Sequence, residues 1–108
     1  MPNWRLKFSV KNLMSDTILY SCTGHVGRLV LNKPQRHNSL GRVELHAISE
    51  RLTQVATSPQ VRVLIVTGTG AKTFCAGASL QELSEAKIGE EDFQKMTAQL
   101  ADLAIPTI

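Results

Sequence analysis

The chain has 108 residues, 43% of them hydrophobic, which suits one globular domain or part of one and argues against a disordered tail. Its net charge of +3 comes from 12 basic and 9 acidic residues scattered without a basic block, and aromatic side chains to interleave with them are few, so nucleic acid is not an expected partner. Cys22 and Cys75 form no ligand pattern with His25, His37 and His46, and the longest apolar run, residues 63–66, is far too short for a membrane span, so no metal, no membrane and a cytoplasmic location with reduced thiols are expected.

Residues 1–13 alternate weakly, with Trp4, Leu6, Phe8 and Val10 on one side. Met14 reads as a second start, so residues 1–16 are expected to be an N-terminal extension or a start-site artefact, and residues 17–108 the domain. Residues 17–20 and 26–31 are β-prone and flank a turn-prone segment, residues 21–25, which predicts two antiparallel strands. Pro34 ends the second, and Asn38 or Ser39 is expected to cap the next helix.

That helix, over residues 41–57, places Leu45, Ile48, Leu52, Val55 and Ala56 on one face and Arg42, Glu50, Arg51 and Gln54 on the other. Ser58-Pro59 closes it. Residues 61–67 then read as a strand that is apolar on both faces except at Arg62, and therefore covered from both sides. A short helix starts near Ser79 and carries Leu80 and Leu83, and Gly89 interrupts it. Glu90-Glu91-Asp92 opens a further helix that lines up Phe93, Met96, Leu100, Leu103 and Ala104, and Thr107-Ile108 begins a β-prone stretch.

The chain is organised around the stretch over residues 61–83. A strand feeding a glycine-bearing loop and a helix start presents backbone N–H groups to an anion or a developing negative charge. Gly68-x-Gly70 does not make it a dinucleotide loop, because the third glycine of that fingerprint would fall at Thr73, and no Gly-Lys-Ser/Thr follows. Cys75 reads as a small core residue and His46 as a surface one. Glu82 and Glu85 read as a solvated helix face, His37 as a loop residue making a backbone contact, and Asn38 as a buried amide that holds the loop.

Leu31-Asn32-Lys33-Pro34, then Asn38-Ser39-Leu40, a helix, a strand ending Thr67-Gly68, and Phe74-Cys75-Ala76-Gly77-Ala78-Ser79-Leu80 together resemble the crotonase superfamily, the enoyl-CoA hydratase/isomerase family. The resemblance covers residues 17–108 and implies an α/β fold, a crotonase-like ββα spiral, incomplete at the C-terminus. It implies a coenzyme A thioester whose carbonyl oxygen is received by two backbone N–H groups, the first that of Ala78, with Ala76 and Gly77 leaving room. By the same resemblance Lys33, Arg36 and His37 and the turn of Ala76, Gly77, Ala78, Ser79 and Leu80 wall the coenzyme A, with Lys33 and Arg36 as phosphate partners. Lys33 stands where the family commonly has Arg, and Ser79 where it has Asp.

Coenzyme A enters as part of the substrate, and no separate cofactor is implied. A homo-oligomer, trimer or hexamer, is implied for the complete protein. The acid and base of such an enzyme lie beyond the position matching Ile108, so two readings stay open: the front half of an acyl-CoA lyase or isomerase, most like an enoyl-CoA hydratase, or a non-catalytic remnant or coenzyme A-binding module. In either case the central strand, at Leu64 or its neighbours, is expected to be left exposed, with an unpaired sheet edge.

Overall fold

The computed structural model describes residues 17–108, and the expected strand over residues 1–13 and start at Met14 lie outside them. Strands β1 (Ile18–Thr23) and β2 (Val26–Leu31) form an antiparallel hairpin in which Thr23 faces Val26. Only Gly24 and His25 remain for the turn, which is shorter than the expected residues 21–25, because Ser21 and Cys22 continue the ladder opposite Arg28 and Gly27. Gly24 has φ +60°, and a glycine at positive φ in the first turn position matches the twist of a two-residue hairpin.

β2 then crosses through helix α1 (Arg42–Thr57) to β3 (Val63–Gly68), which pairs with it in parallel and gives the order β1-β2-β3. Two parallel strands need such a crossover, and α1 fills it with one apolar stripe. Leu45, Ile48, Leu52 and Val55 are buried in one core with Ile18, Leu29, Leu31 and Leu64 of the sheet. Each such side chain taken out of water contributes roughly 1.5 to 3 kcal/mol.

The cap of α1 differs from expectation. Neither Asn38 nor Ser39 provides it; the N-cap is Gly41, whose N–H donates to Glu44 Oε1 at 2.9 Å. Asn38 is committed elsewhere, as described below. Ser79 does cap the short α2 (Leu80–Ser84), its hydroxyl accepting the Glu82 N–H at 3.4 Å. Helix α3 (Glu90–Asp102) starts after Gly89, whose N–H donates to Asp92 at 2.8 Å, and lays half-buried Phe93, Met96 and Leu100 onto the core. Gln99 of α3 also accepts a hydrogen bond from Ser49 of α1 at 2.7 Å.

After α3 the chain returns beside β3: Leu64 N–H donates to Pro106 O at 3.0 Å, Ile108 N–H to Leu64 O at 2.9 Å, and Val66 N–H to Ile108 O at 2.8 Å. Leu64, whose side chain belongs to the α1 core, is 0% exposed, against the expectation that this strand would be left bare, and the β3 edge is paired at its main chain. Its neighbours Val63, Ile65 and Val66 are half-buried, so within the expected strand over residues 61–67 full burial is reached at Val61 and Leu64 and the cover of both faces is partial elsewhere. Among the described residues no helix is long and apolar enough to cross a membrane.

Candidate functional site

Because β2 and β3 are parallel, the loops that leave them, residues 32–41 and 69–79, emerge at the same end of the sheet. Asn38 joins them. It is 0% exposed, and its Nδ2 donates toward the carbonyl oxygens of Thr69, Thr73 and Phe74 at 3.0, 3.1 and 2.9 Å, while its Oδ1 accepts the Lys33 N–H at 2.7 Å. The backbone is shaped to deliver that amide: a turn of 310 helix at Pro34–Arg36 is followed by His37 and Asn38, both at φ +55°. Gly68 is the matching concession on the other loop, since a Cβ there would lie 2.5 Å from Phe74 O and 2.8 Å from Asn38 Nδ2.

Main-chain bonds then run the two loops side by side. Ala76 N–H donates to His37 O at 2.9 Å, Leu40 N–H to Gly77 O at 2.8 Å, and Ser79 N–H to Leu40 O at 2.9 Å, which makes Leu40 and Ala78 a parallel bridge. A parallel bridge of this kind uses the groups on either side of Ala78 and turns the N–H of Ala78 itself away from its partner. Among the described residues that N–H takes no acceptor. Gly77, at φ +99°, gives the turn its direction, and nothing lies within 4 Å of where its Cβ would stand.

Beside this turn lies a groove of about 340 Å³ whose walls include Lys33, Arg36, Ser39, Ser79, Glu82 and Lys87. Lys33 does not serve it freely: its ammonium sits 3.0 Å from Glu44 Oε1 with the side chain 16% exposed, so its charge offsets a buried carboxylate rather than standing open to a phosphate. Glu85 and Lys87 pair at 3.3 Å. Arg36 is exposed and makes no ion pair among the described residues, which leaves it the groove's open cation.

Glu44 is the feature that helix periodicity hid. It is 6% exposed, and besides Lys33 and the Gly41 N–H it accepts from the Thr17 hydroxyl at 2.6 Å. Burial pushes its pKa up, but the bonds from Thr17, Gly41 and Lys33 and the Lys33 charge outweigh that and hold it below the ordinary value of 4.5. Glu82 also departs from the solvated face expected of it, since its Oε1 accepts the Arg42 N–H at 3.0 Å. Both carboxylates were legible only as acids on helices; nothing local marks the distant N–H groups they meet.

The remaining expected residues fall into two groups. Ala76, Gly77, Ala78 and Ser79 come together on the turn, with Ser79 also on the groove wall. His37 contributes its carbonyl to Ala76, and Leu80 opens α2 at 81% exposure. Cys75 is half-buried against the core and its Sγ accepts the Gly77 N–H at 3.4 Å, while exposed His46 faces Glu50 at 3.4 Å. Among the described residues no three His, Cys, Asp or Glu side chains gather as a metal set.

A family model described as enoyl-CoA hydratase/isomerase matches residues 26–104. Human enoyl-CoA hydratase domain-containing protein 2, mitochondrial, is 35% identical over 89 residues, which is 77% of this chain and 30% of that protein. The solved structure of Pseudomonas aeruginosa PA4980 superposes with a TM-score of 0.77 at 33% identity, over 87% of this chain and 44% of that one. Enoyl-CoA hydratase EchA8_6 from Mycobacterium marinum gives a TM-score of 0.76 at 28% identity, over 84% and 46%. The chain thus spans less than half the length of each of these relatives.

Proposed function

The chain belongs to the enoyl-CoA hydratase/isomerase family, with its crotonase-type α/β fold, and from that premise we propose that it supplies the coenzyme A wall and the first oxyanion donor of an acyl-CoA lyase or isomerase, most like an enoyl-CoA hydratase. The observation that carries this reading is the Ala78 N–H, turned away from Leu40 by the parallel bridge and without an acceptor among the described residues, next to the glycine turn. When water adds across a 2-enoyl thioester, its oxygen bonds to Cβ and negative charge passes through Cα onto the thioester oxygen before Cα takes a proton. A fixed N–H aimed at that oxygen is worth about 3 kcal/mol, because it is already oriented when the charge arrives.

In this reading Arg36 meets a phosphate of coenzyme A by charge and planar fork, while Lys33 holds the loop through Glu44. Coenzyme A arrives as part of the substrate, so no separate cofactor takes part. The described residues bind and stabilise charge here; Glu44 and Glu82, tied to backbone N–H groups, are not assigned the proton transfers.

The test is hydration of crotonyl-CoA by the complete protein that carries these residues, followed by loss of the conjugated enoyl absorbance, for the wild type and Ala78→Pro. Proline has no N–H to give, so turnover should disappear while circular dichroism keeps the native signal. A folded variant with undiminished turnover would overturn the donor assignment. A wild type that binds crotonyl-CoA without hydrating it would favour the binding-module reading instead.

A further inference from the structure

Glu82 has no part in the chemistry above, yet it closes the site. The segment of residues 76–82 is tied to residues 37–42 at four points: Ala76 to His37, Gly77 to Leu40, Ser79 to Leu40, and Glu82 Oε1 to the Arg42 N–H at 3.0 Å. The first three are main-chain bonds. The fourth is the one made by a side chain, and it anchors α2 to the N-terminus of α1.

Two features show that the anchor is built in. Gly41 has no side chain where one would overlap the Glu82 carboxylate, with Cδ only 2.6 Å from a would-be Cβ. The neighbouring Gly41 N–H is taken by Glu44, so two carboxylates share one helix start. Their mutual repulsion is opposed by the positive end of a 16-residue helix and by Lys33 on Glu44. Ala78 lies one residue before Ser79, the cap of α2, so the direction of its N–H follows the placement of that helix.

We propose that Glu82 is a positioning residue for the Ala78 N–H, holding α2 against α1 so that the donor points at the thioester oxygen. The proposal rests on the reading of Ala78 as oxyanion donor, and its test separates the two. Amide exchange by NMR reads the tie: in Glu82→Ala the Leu40 and Ser79 amides should exchange about tenfold faster while those of Leu52 and Leu64 keep their rates. Glu82→Gln, which still offers an accepting oxygen, should return both rates to within about threefold of wild type.

The vibrational frequency of the thioester carbonyl in bound crotonyl-CoA reads the donor. It should fall on binding to wild type, lose most of that fall in Glu82→Ala and regain it in Glu82→Gln. Gly41→Ala, which evicts the same carboxylate, should reproduce Glu82→Ala and add little to it in the double variant. Unchanged exchange at Leu40 and Ser79, a carbonyl shift that survives Glu82→Ala, a Gln variant that behaves as Ala, or additive Gly41 and Glu82 effects would each overturn the proposal. A wild type with no carbonyl shift would overturn the oxyanion reading and this role with it, while the exchange data would still decide whether the tie exists.

Discussion

Asn38→Asp changes one NH2 for an oxygen at constant shape, and the structure makes its cost calculable. The Lys33 N–H keeps its acceptor, but the new oxygen faces the carbonyls of Thr69, Thr73 and Phe74 where Nδ2 stood 2.9 to 3.1 Å away. At 0% exposure an ionised carboxylate pointed at three carbonyl oxygens is untenable, so the variant folds with the acid protonated. One O–H then replaces two N–H donors, and at least one buried carbonyl goes unpaired at about 1 to 3 kcal/mol.

Keeping the proton at pH 7, about three units above the unfolded value near 3.9, adds roughly 4 kcal/mol. The sign follows from the raised folded pKa: the proton penalty is absent below about pH 4 and grows by about 1.4 kcal/mol per unit above it. We therefore expect Asn38→Asp to be destabilised by about 2 kcal/mol at pH 4 and about 6 kcal/mol at pH 7, a large part of a typical 5 to 15 kcal/mol margin. Urea unfolding followed by circular dichroism at both pH values measures it, with Asn38→Ala as a pH-independent control. A penalty equal at the two pH values, or below about 1 kcal/mol at pH 7, would refute the reasoning.

Glu44→Gln should also cost more as pH rises, though here because a carboxylate that is stabilised in the wild type is lost. The wild-type carboxyl is held below 4.5, so its contribution is full above that value and is lost as pH falls through the folded pKa; the gap in Tm between wild type and variant should narrow steadily as the pH is taken below 4.5, and a constant gap would contradict this. Gly68→Ala should destabilise by about 2 kcal/mol or more because its methyl meets Phe74 O and Asn38, whereas Gly77→Ala, with open space but φ +99°, should cost about 1 kcal/mol through backbone strain alone. Thermal melts of both variants decide it, and equal costs would undo the distinction between space and conformation. Arg36→Ala should raise the Kd for coenzyme A by about tenfold at low salt and by less at high salt, measured by calorimetry, since an exposed pairing is screened. A salt-independent change would place Arg36 outside the phosphate contact.

The parts of this architecture that were readable in sequence are those set by periodicity and by local rules. Leu45, Ile48, Leu52 and Val55 announce α1, the apolar run before Gly68 announces β3, and the motif order around Asn38 and Gly77 points to the loops that meet. What stayed hidden depends on partners far along the chain. Glu44 looks like any acid near a helix start until Thr17, 27 residues away, and Lys33 close over it. Glu82 finds its N–H at a separation of 40 residues. The main chain of Leu64 is paired by residues 106–108, and no local feature of β3 shows that the chain will return there. Ser21, Cys22 and Thr23 carry no alternating apolar signal, so the length of β1 came from Gly24 setting the register.

The amide of Asn38 also bears on how fast a ligand is received. By holding the carbonyls of Thr69, Thr73 and Phe74, it removes the freedom that a mobile lid over this loop would need. On the proposed reading, the loop of residues 69–74 that leads into the Ala78 turn is set before any encounter, so recognition at that turn should proceed as a single bimolecular step, with an observed rate that rises linearly with ligand concentration and shows no plateau. Differences among related acyl groups should then emerge in how long each remains bound, because the time needed to arrive is common to them all.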